Sequence, residues 1–235
     1  MIMDYDTFQQ AIRDGTGVQV LSRWVSDILG EVAQGRTKVS AMRHPLGFMC
    51  FPVERSGDQG ICVHLWNDSM PKTNPTTSPM HAHSWDLLSC VLYGNVRNEL
   101  IDVTDVPDEG THRVFEIRSR GDVDEVRETP RLVRCRTSVV ELNHRGDTYS
   151  LAAGAFHATV VQGEAATVAL GRGYAGMLDL SLGGIDTRTH YVRRQRCDRD
   201  ETAYAARVVI ERLARICSVD QEDDESCEDR DGSGH

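Results

Sequence analysis

The chain has 235 residues, 40% of them hydrophobic and 26% charged, with 20 glycines, 7 prolines and a formal net charge of −10. That length suits one large β domain with appendages or two small domains, and no segment approaches the roughly 20 apolar residues that cross a bilayer. The charge sits at one end: from Asp220 to His235 eight acids face one base, which is −7 of the total, so the body offers no electrostatic footprint for nucleic acid or a membrane surface.

The first residues, Met1 to Asp6, lack the basic region and apolar core of a signal peptide, so a cytoplasmic location is expected. A short helix is predicted around Thr7 to Arg13, broken by Gly15 and Gly17. Leu21, Trp24, Val25, Ile28, Leu29 and Val32 then follow the i, i+3, i+4, i+7 spacing of an amphipathic helix that Gly35 ends. From about Val39 the texture changes to short strand-like runs between turn residues. Phe48 to Val53 and Ile61 to Trp66 flank a hairpin loop, Ser56 to Gly60, and a polar proline-bearing loop, Asn67 to Pro79, follows. Further strands are predicted from His81 to Gly94, and over Arg97 to Val103, His112 to Arg118, Leu132 to Leu142, Tyr149 to Leu151, Ala158 to Gln162 and Thr167 to Leu170. So many short strands indicate an all-β core, an antiparallel sandwich or barrel.

Beyond Gly171-Arg172-Gly173-Tyr174 comes a glycine-rich connection, a strand at Thr189 to Arg193, and a second amphipathic helix. Asp198 or Asp200 can cap that helix, and Ala206, Val209, Ile210, Leu213 and Ile216 form its apolar stripe. The expected division is a helical segment over 1–38, a barrel domain over 39–197, a C-terminal helix over 198–217 and a disordered acidic tail over 218–235. Seven cysteines without a CxxC pair fit neither a disulfide framework nor a structural zinc site of familiar spacing. Cys50, Cys62 and Cys90 lie in apolar runs and are expected to be reduced packing residues.

The chemistry-bearing stretch is Pro79-Met80-His81-Ala82-His83-Ser84-Trp85-Asp86-Leu87. On one strand, alternation projects His81, His83, Trp85 and Leu87 to the same face and turns Asp86 away. A metal needs a third ligand, and His157, in Gly154-Ala155-Phe156-His157, is the candidate; His112, His144 and His190 are expected to be structural. Three neutral imidazoles without a carboxylate suit Fe, Zn, Cu or Ni and leave positions open for substrate and dioxygen or water.

His81-Ala82-His83 with Gly94, and Gly146 with Gly154-Ala155-Phe156-His157, resemble the two sequence motifs of the cupin superfamily, a small double-stranded β-barrel or jelly roll. The run Ser89-Cys90-Val91-Leu92-Tyr93-Gly94 is also similar to thiol dioxygenases of the cysteine and cysteamine type. Where cupins often carry a Glu ligand this chain has Leu87, which brings it nearer to the three-histidine set. The second motif departs as well, with Ala152-Ala153-Gly154 before the histidine and Val161 after it.

The resemblance implies Fe(II) held by His81, His83 and His157, and a dioxygenase acting on a small amino-acid-derived or thiol substrate with dioxygen. Zn, Mn, Ni or Cu are the alternative metals, and a Zn-, Mn- or Ni-dependent isomerase or hydrolase, or a ligand-binding cupin without activity, are the alternative functions. Tyr149 either offers a phenol beside the metal or packs, and Trp85 is either core wall or substrate platform. Arg43, Arg97, Arg134 and Arg136 are candidate carboxylate clamps. Barrel edges and the helical layer allow a homodimer.

Overall fold

In the computed structural model, which describes residues 4–228 and side chains as far as Ser218, three helices lie on one of two antiparallel sheets. The Asp4 side chain accepts from the Thr7 backbone N–H and caps α1 (Tyr5–Arg13). The second helix, α2 (Gly17–Ala33), buries Leu21, Val25, Leu29 and Val32, and Gly35 ends it in the left-handed region. A capping box starts α3 (Arg199–Glu228): the Asp198 carboxylate accepts from the Glu201 N–H, and the Glu201 carboxylate accepts from the Asp198 N–H. None of these helices is long and apolar enough to cross a membrane. Residues 218–228, expected to be disordered, continue α3 as helical backbone. Once packed turns have nucleated a helix, each added residue gains a hydrogen bond at little further cost. Residues 229–235 of that tail lie outside the described residues.

The strands in chain order are β1 (Met42–Arg43), β2 (Met49–Ser56), β3 (Gln59–Trp66), β4 (His81–Ala82), β5 (Trp85–Tyr93), β6 (Val96–Asp105), β7 (His112–Arg120), β8 (Val123–Asn143), β9 (Thr148–Leu151), β10 (His157–Val160), β11 (Ala165–Gly173), β12 (Asp179–Gly183), β13 (His190–Arg193) and β14 (Gln195–Arg196). One sheet runs β14-β1-β2-β3-β11-β5-β9 and the other β13-β8-β6-β10-β4-β12-β7, all pairs antiparallel. The long bent strand β8 pairs with β7 through its first half and with β6 through its second, which closes the second sheet on itself. This is the jelly-roll barrel with flanking helices that the cupin resemblance implies.

The strands differ from the sequence reading in several places, and β1 and β14 are among those it does not predict. The first half of β8 lies outside the predicted strands; it carries Pro130, which falls where the β7 register shifts, between Leu132 opposite Arg113 and Glu128 opposite Phe115. A bulge tolerates a residue that cannot donate to the ladder. Strand β12 has only Leu180 and Leu182 as apolar alternates, too weak a pattern to stand out. The predicted single strand from His81 to Gly94 is two strands, β4 and β5, in different sheets.

Alternation sorts the first sheet into two faces. Phe51, Ile61, Val63, Leu65, Leu92, Val168 and Leu170 join Phe8, Leu21, Leu29, Val209 and Leu213 in a helix-covered core. Trp66, Leu87, Val91, Tyr149, Leu151 and Ala169 form a separate cluster inside the barrel. The tight corner after β5 depends on Gly94, which sits at φ +74, where a Cβ would collide with the Glu164 carbonyl oxygen and with Ala165. Gly94→Ala is therefore expected to destabilise the protein by about 3 kcal/mol or more, from backbone strain and overpacking together; a urea midpoint within error of the wild type would show that the corner relaxes freely.

Candidate metal centre

Strand β10 lies beside β4, and in their antiparallel ladder His157 is directly opposite His81. Directly opposed side chains meet on the same face, and the two rings lie 4.2 Å apart between centroids. His83, just past the end of β4, stands 4.7 Å from His81 and 5.1 Å from His157. One ligand nitrogen from each of the three falls within 4.8 Å of the other two. His157 is only 2% exposed, while His81 and His83 keep a partly open side.

Backbone carbonyls set the tautomers. His81 Nδ1 is 2.9 Å from the Pro79 oxygen and His157 Nδ1 is 3.2 Å from the Ala155 oxygen. With each Nδ1–H donated to a carbonyl, the Nε2 lone pair is left for the centre of the triangle. Burial pushes the proton affinity of His81 and His157 down to about 3, helped by the neighbouring imidazoles, and His83 is lowered for the same reasons. All three are neutral donors at physiological pH, as metal ligation requires.

The two histidines of the His-x-His pair converge without sharing a strand. The chain leaves one sheet for the other at His83-Ser84, where the His83 oxygen accepts from the Gly154 N–H at 2.8 Å and the Ser84 N–H donates to Asp179 at 2.6 Å. Trp85, the first residue of β5, stacks on His83 at 4.2 Å with 28° between planes. Gly171 makes room for that indole, since a Cβ there would lie 2.9 Å from the ring. Asp86 points away from the triad, as alternation predicts, and accepts from the Ala153 N–H at 2.8 Å and from the Tyr174 hydroxyl. Those two hydrogen bonds, the tyrosine's first, hold its carboxyl below the ordinary range. Asp86 thus ties the turn before His157 to the strand after His83.

Leu87 is buried in the barrel interior beside Trp85 and Tyr149, so no carboxylate enters the triad at that position. Tyr149 is buried opposite Ser89; burial pushes its phenol up, and the nearby polar side chains of Ser89 and Asn98 act the other way. The four arginines considered as carboxylate clamps are already paired: Arg43 with Glu201, Arg97 with Glu99 at 2.8 Å, Arg134 with Glu109 at 3.1 Å and Arg136 with Asp102 at 2.8 Å. His112 contacts Thr111 and Cys135, His144 contacts Asp147, and His190 contacts Thr76 and Arg188, all apart from the triad.

Two further histidines escaped the sequence reading. His44 stacks on Phe48 at 4.3 Å, and Phe48 tilts onto His64 at 4.6 Å. Both His44 and His64 act electrostatically on His83. Cys50, Cys62 and His64 bring one ligand atom each within 4.8 Å of one another. The available signal was Cys62-Val63-His64, which has the same one-residue spacing as His81-Ala82-His83.

No family model matches the sequence, and no curated protein matches it. Among solved structures, a cupin superfamily protein from Desulfitobacterium hafniense is 10% identical over 54% of this chain and 78% of its own, with a TM-score of 0.33. A hydroxypropylphosphonic acid epoxidase from S. wedmorenis is 11% identical over 52% of this chain and 49% of its own, with a TM-score of 0.30. Hydroquinone 1,2-dioxygenase from Sphingomonas sp. TTNP3 is 14% identical over 52% of this chain and 65% of its own, also at 0.30. What the site can do follows from its own residues.

The lowered imidazoles make stability depend on pH. Between about 3 and the ordinary value of 6.5, the unfolded chain binds protons at His44, His81 and His157 that the folded metal-free protein does not. Stability is then full above 6.5 and is lost as pH falls, by up to about 1.4 kcal/mol per pH unit for each such group. Urea unfolding of metal-free protein at about pH 7.5 and about pH 5.5, where carboxylates are still ionised, is expected to show this loss; equal stabilities would mean that the buried imidazoles protonate normally.

Proposed function

We propose that this protein is a mononuclear non-haem Fe(II)-dependent oxygenase acting on a small amino-acid-derived or thiol substrate with dioxygen, its metal held by His81, His83 and His157. The observation that carries this reading is the closed triangle of neutral imidazoles, two of them with Nδ1 engaged by backbone carbonyls. A borderline divalent cation fits such a set, and three protein donors leave positions free for exogenous ligands. Bound ferrous iron would supply the redox chemistry that dioxygen requires.

The chain's own residues would do the rest. Three neutral donors leave the dication's charge uncompensated, which favours a substrate that binds through an anionic group such as a thiolate. Trp85 would wall the His83 side, and Leu87 would keep a competing carboxylate out of the shell. Tyr149 would keep its proton, since burial raises its phenol, and present it as a hydrogen-bond donor from its place opposite Ser89 on the neighbouring strand. The barrel over residues 39–197 would carry the chemistry, with the helices as its cover.

Anaerobic Fe(II) loading, followed by oxygen-electrode assays with a panel of small thiols and amino acids, tests the reading. Oxygen uptake with at least one of them is expected, and His157→Ala is expected to lose bound iron and at least about 100-fold in rate. Tyr149→Phe is expected to keep the iron and lose about 100-fold in kcat. Iron content unchanged in His157→Ala would remove the three-histidine assignment. Zinc retained through chelation with no oxygen uptake would move the assignment to a Lewis-acid isomerase or hydrolase.

A further inference from the structure

We infer that Cys50, Cys62 and His64 form a second metal site inside the barrel, a thiolate-rich site for Zn(II), distinct in chemistry from the histidine triad. Cys62 and His64 alternate on β3 and so share a face, and Cys50 on β2 is directly opposite His64 in the ladder while Pro52 is opposite Cys62. Ile61, Val63 and Leu65, the intervening residues, belong to the helix-covered core, which turns the three donors inward beside Trp66. Phe48 closes over them, 4.6 Å from His64 and 4.9 Å from Trp66.

The geometry suits the cation. All three ligand atoms lie within 4.8 Å of one another, and Zn–S bonds of about 2.3 Å require sulfurs about 3.8 Å apart at tetrahedral angles. Both cysteines are free, and Cys50 is 6% exposed. Two thiolates balance the charge of a dication, so the filled site is neutral and can lie in a barrel interior where an uncompensated ion would be costly to bury. Soft thiolates select zinc or Cu(I), whereas an all-imidazole set accepts iron. Three protein ligands also leave the fourth tetrahedral position for water or a small exogenous donor, the arrangement of open rather than closed zinc sites. The inference stands whether or not the triad holds iron.

The test uses the full-length chain, stripped of metal, reduced and titrated anaerobically with Co(II) and then Zn(II). Two equivalents are expected to bind, one of them giving the near-ultraviolet sulfur-to-cobalt charge-transfer absorption that histidine ligands cannot give, and zinc is expected to abolish it. Cys62→Ser should lose that absorption and one equivalent, while His157→Ala should keep the absorption and lose the other equivalent. Because variants of buried cysteines can misfold, the wild-type zinc form provides an independent readout: an organomercurial should release one equivalent of zinc, and bound zinc should shield two thiols from a disulfide reagent. A total of one equivalent without sulfur-to-cobalt absorption, an absorption that survives Cys62→Ser, or a Cys50–Cys62 disulfide that persists under reduction would each overturn the site.

Discussion

The pairing of His157 with His81 across β10 and β4 is the contact on which the interior of this protein depends. A slip of one residue in that ladder would turn His157 to the opposite face, because side chains alternate with period two. The pairing between these two strands is very short, so its register has to be set by their neighbours. Strand β10 is held along its length by β6, Ala158 facing Glu99 and Thr159 facing Asn98, and the Thr159 hydroxyl donates to the Asn98 side chain at 3.0 Å. Strand β4 is held by β12, and the Leu182 N–H donates to the Met80 oxygen at 2.9 Å. The triad is thus the meeting point of two ladders, each fixed independently.

The same sheet serves two purposes on its two faces. Its outer face, against α1, α2 and α3, carries the large aliphatic core in which Leu21, Leu29, Leu65, Leu92 and Leu170 are fully buried; each such side chain contributes about 1.5–3 kcal/mol. Its inner face, with the second sheet, encloses histidines and thiols whose burial costs free energy unless they are satisfied. Separating the apolar core from the donor-rich interior lets the helices supply stability while the barrel keeps unpaired lone pairs available. The helices in this view hold the barrel shut from outside.

Much of this arrangement was legible in the residues. The amphipathic stripes of α2 and α3, the strand texture from 48 to 170 and the closeness of His81 to His83 follow from periodicity, while the grouping of His157 with them is what the resemblance of the two motifs implies. What periodicity could not convey was the corner at His83-Ser84: alternation along one strand and a change of sheet both bring His81 and His83 together, and only the register with β10, β12 and β11 distinguishes them. The first half of β8 was not read as a strand, and it accommodates Pro130 only because the β7 register shifts there. Cys62 and His64 carried the same alternation as the histidine pair, but Cys50, the third member, comes from the neighbouring strand. A contact between strands is set by hairpin register, which the bulge between Pro52 and Glu54 shifts by a residue.

The electrostatics of the interior bind these features together. Burial lowers the proton affinity of each triad imidazole, and neighbouring imidazoles lower it further, because a second positive charge at these ring separations is strongly unfavourable in a poorly solvated site; the Pro79 and Ala155 carbonyls offset this only in part. Protons are therefore removed as competitors near neutrality, and the lone pairs remain for a cation that brings its charge as one unit instead of three. His44 and His64 extend the same field to the neighbouring strands. A triad with neither a bound proton nor a carboxylate among its donors favours metal binding twice over, since nothing else occupies the lone pairs. The physical cost of crowding imidazoles into a barrel is thus also what suits them to hold a metal.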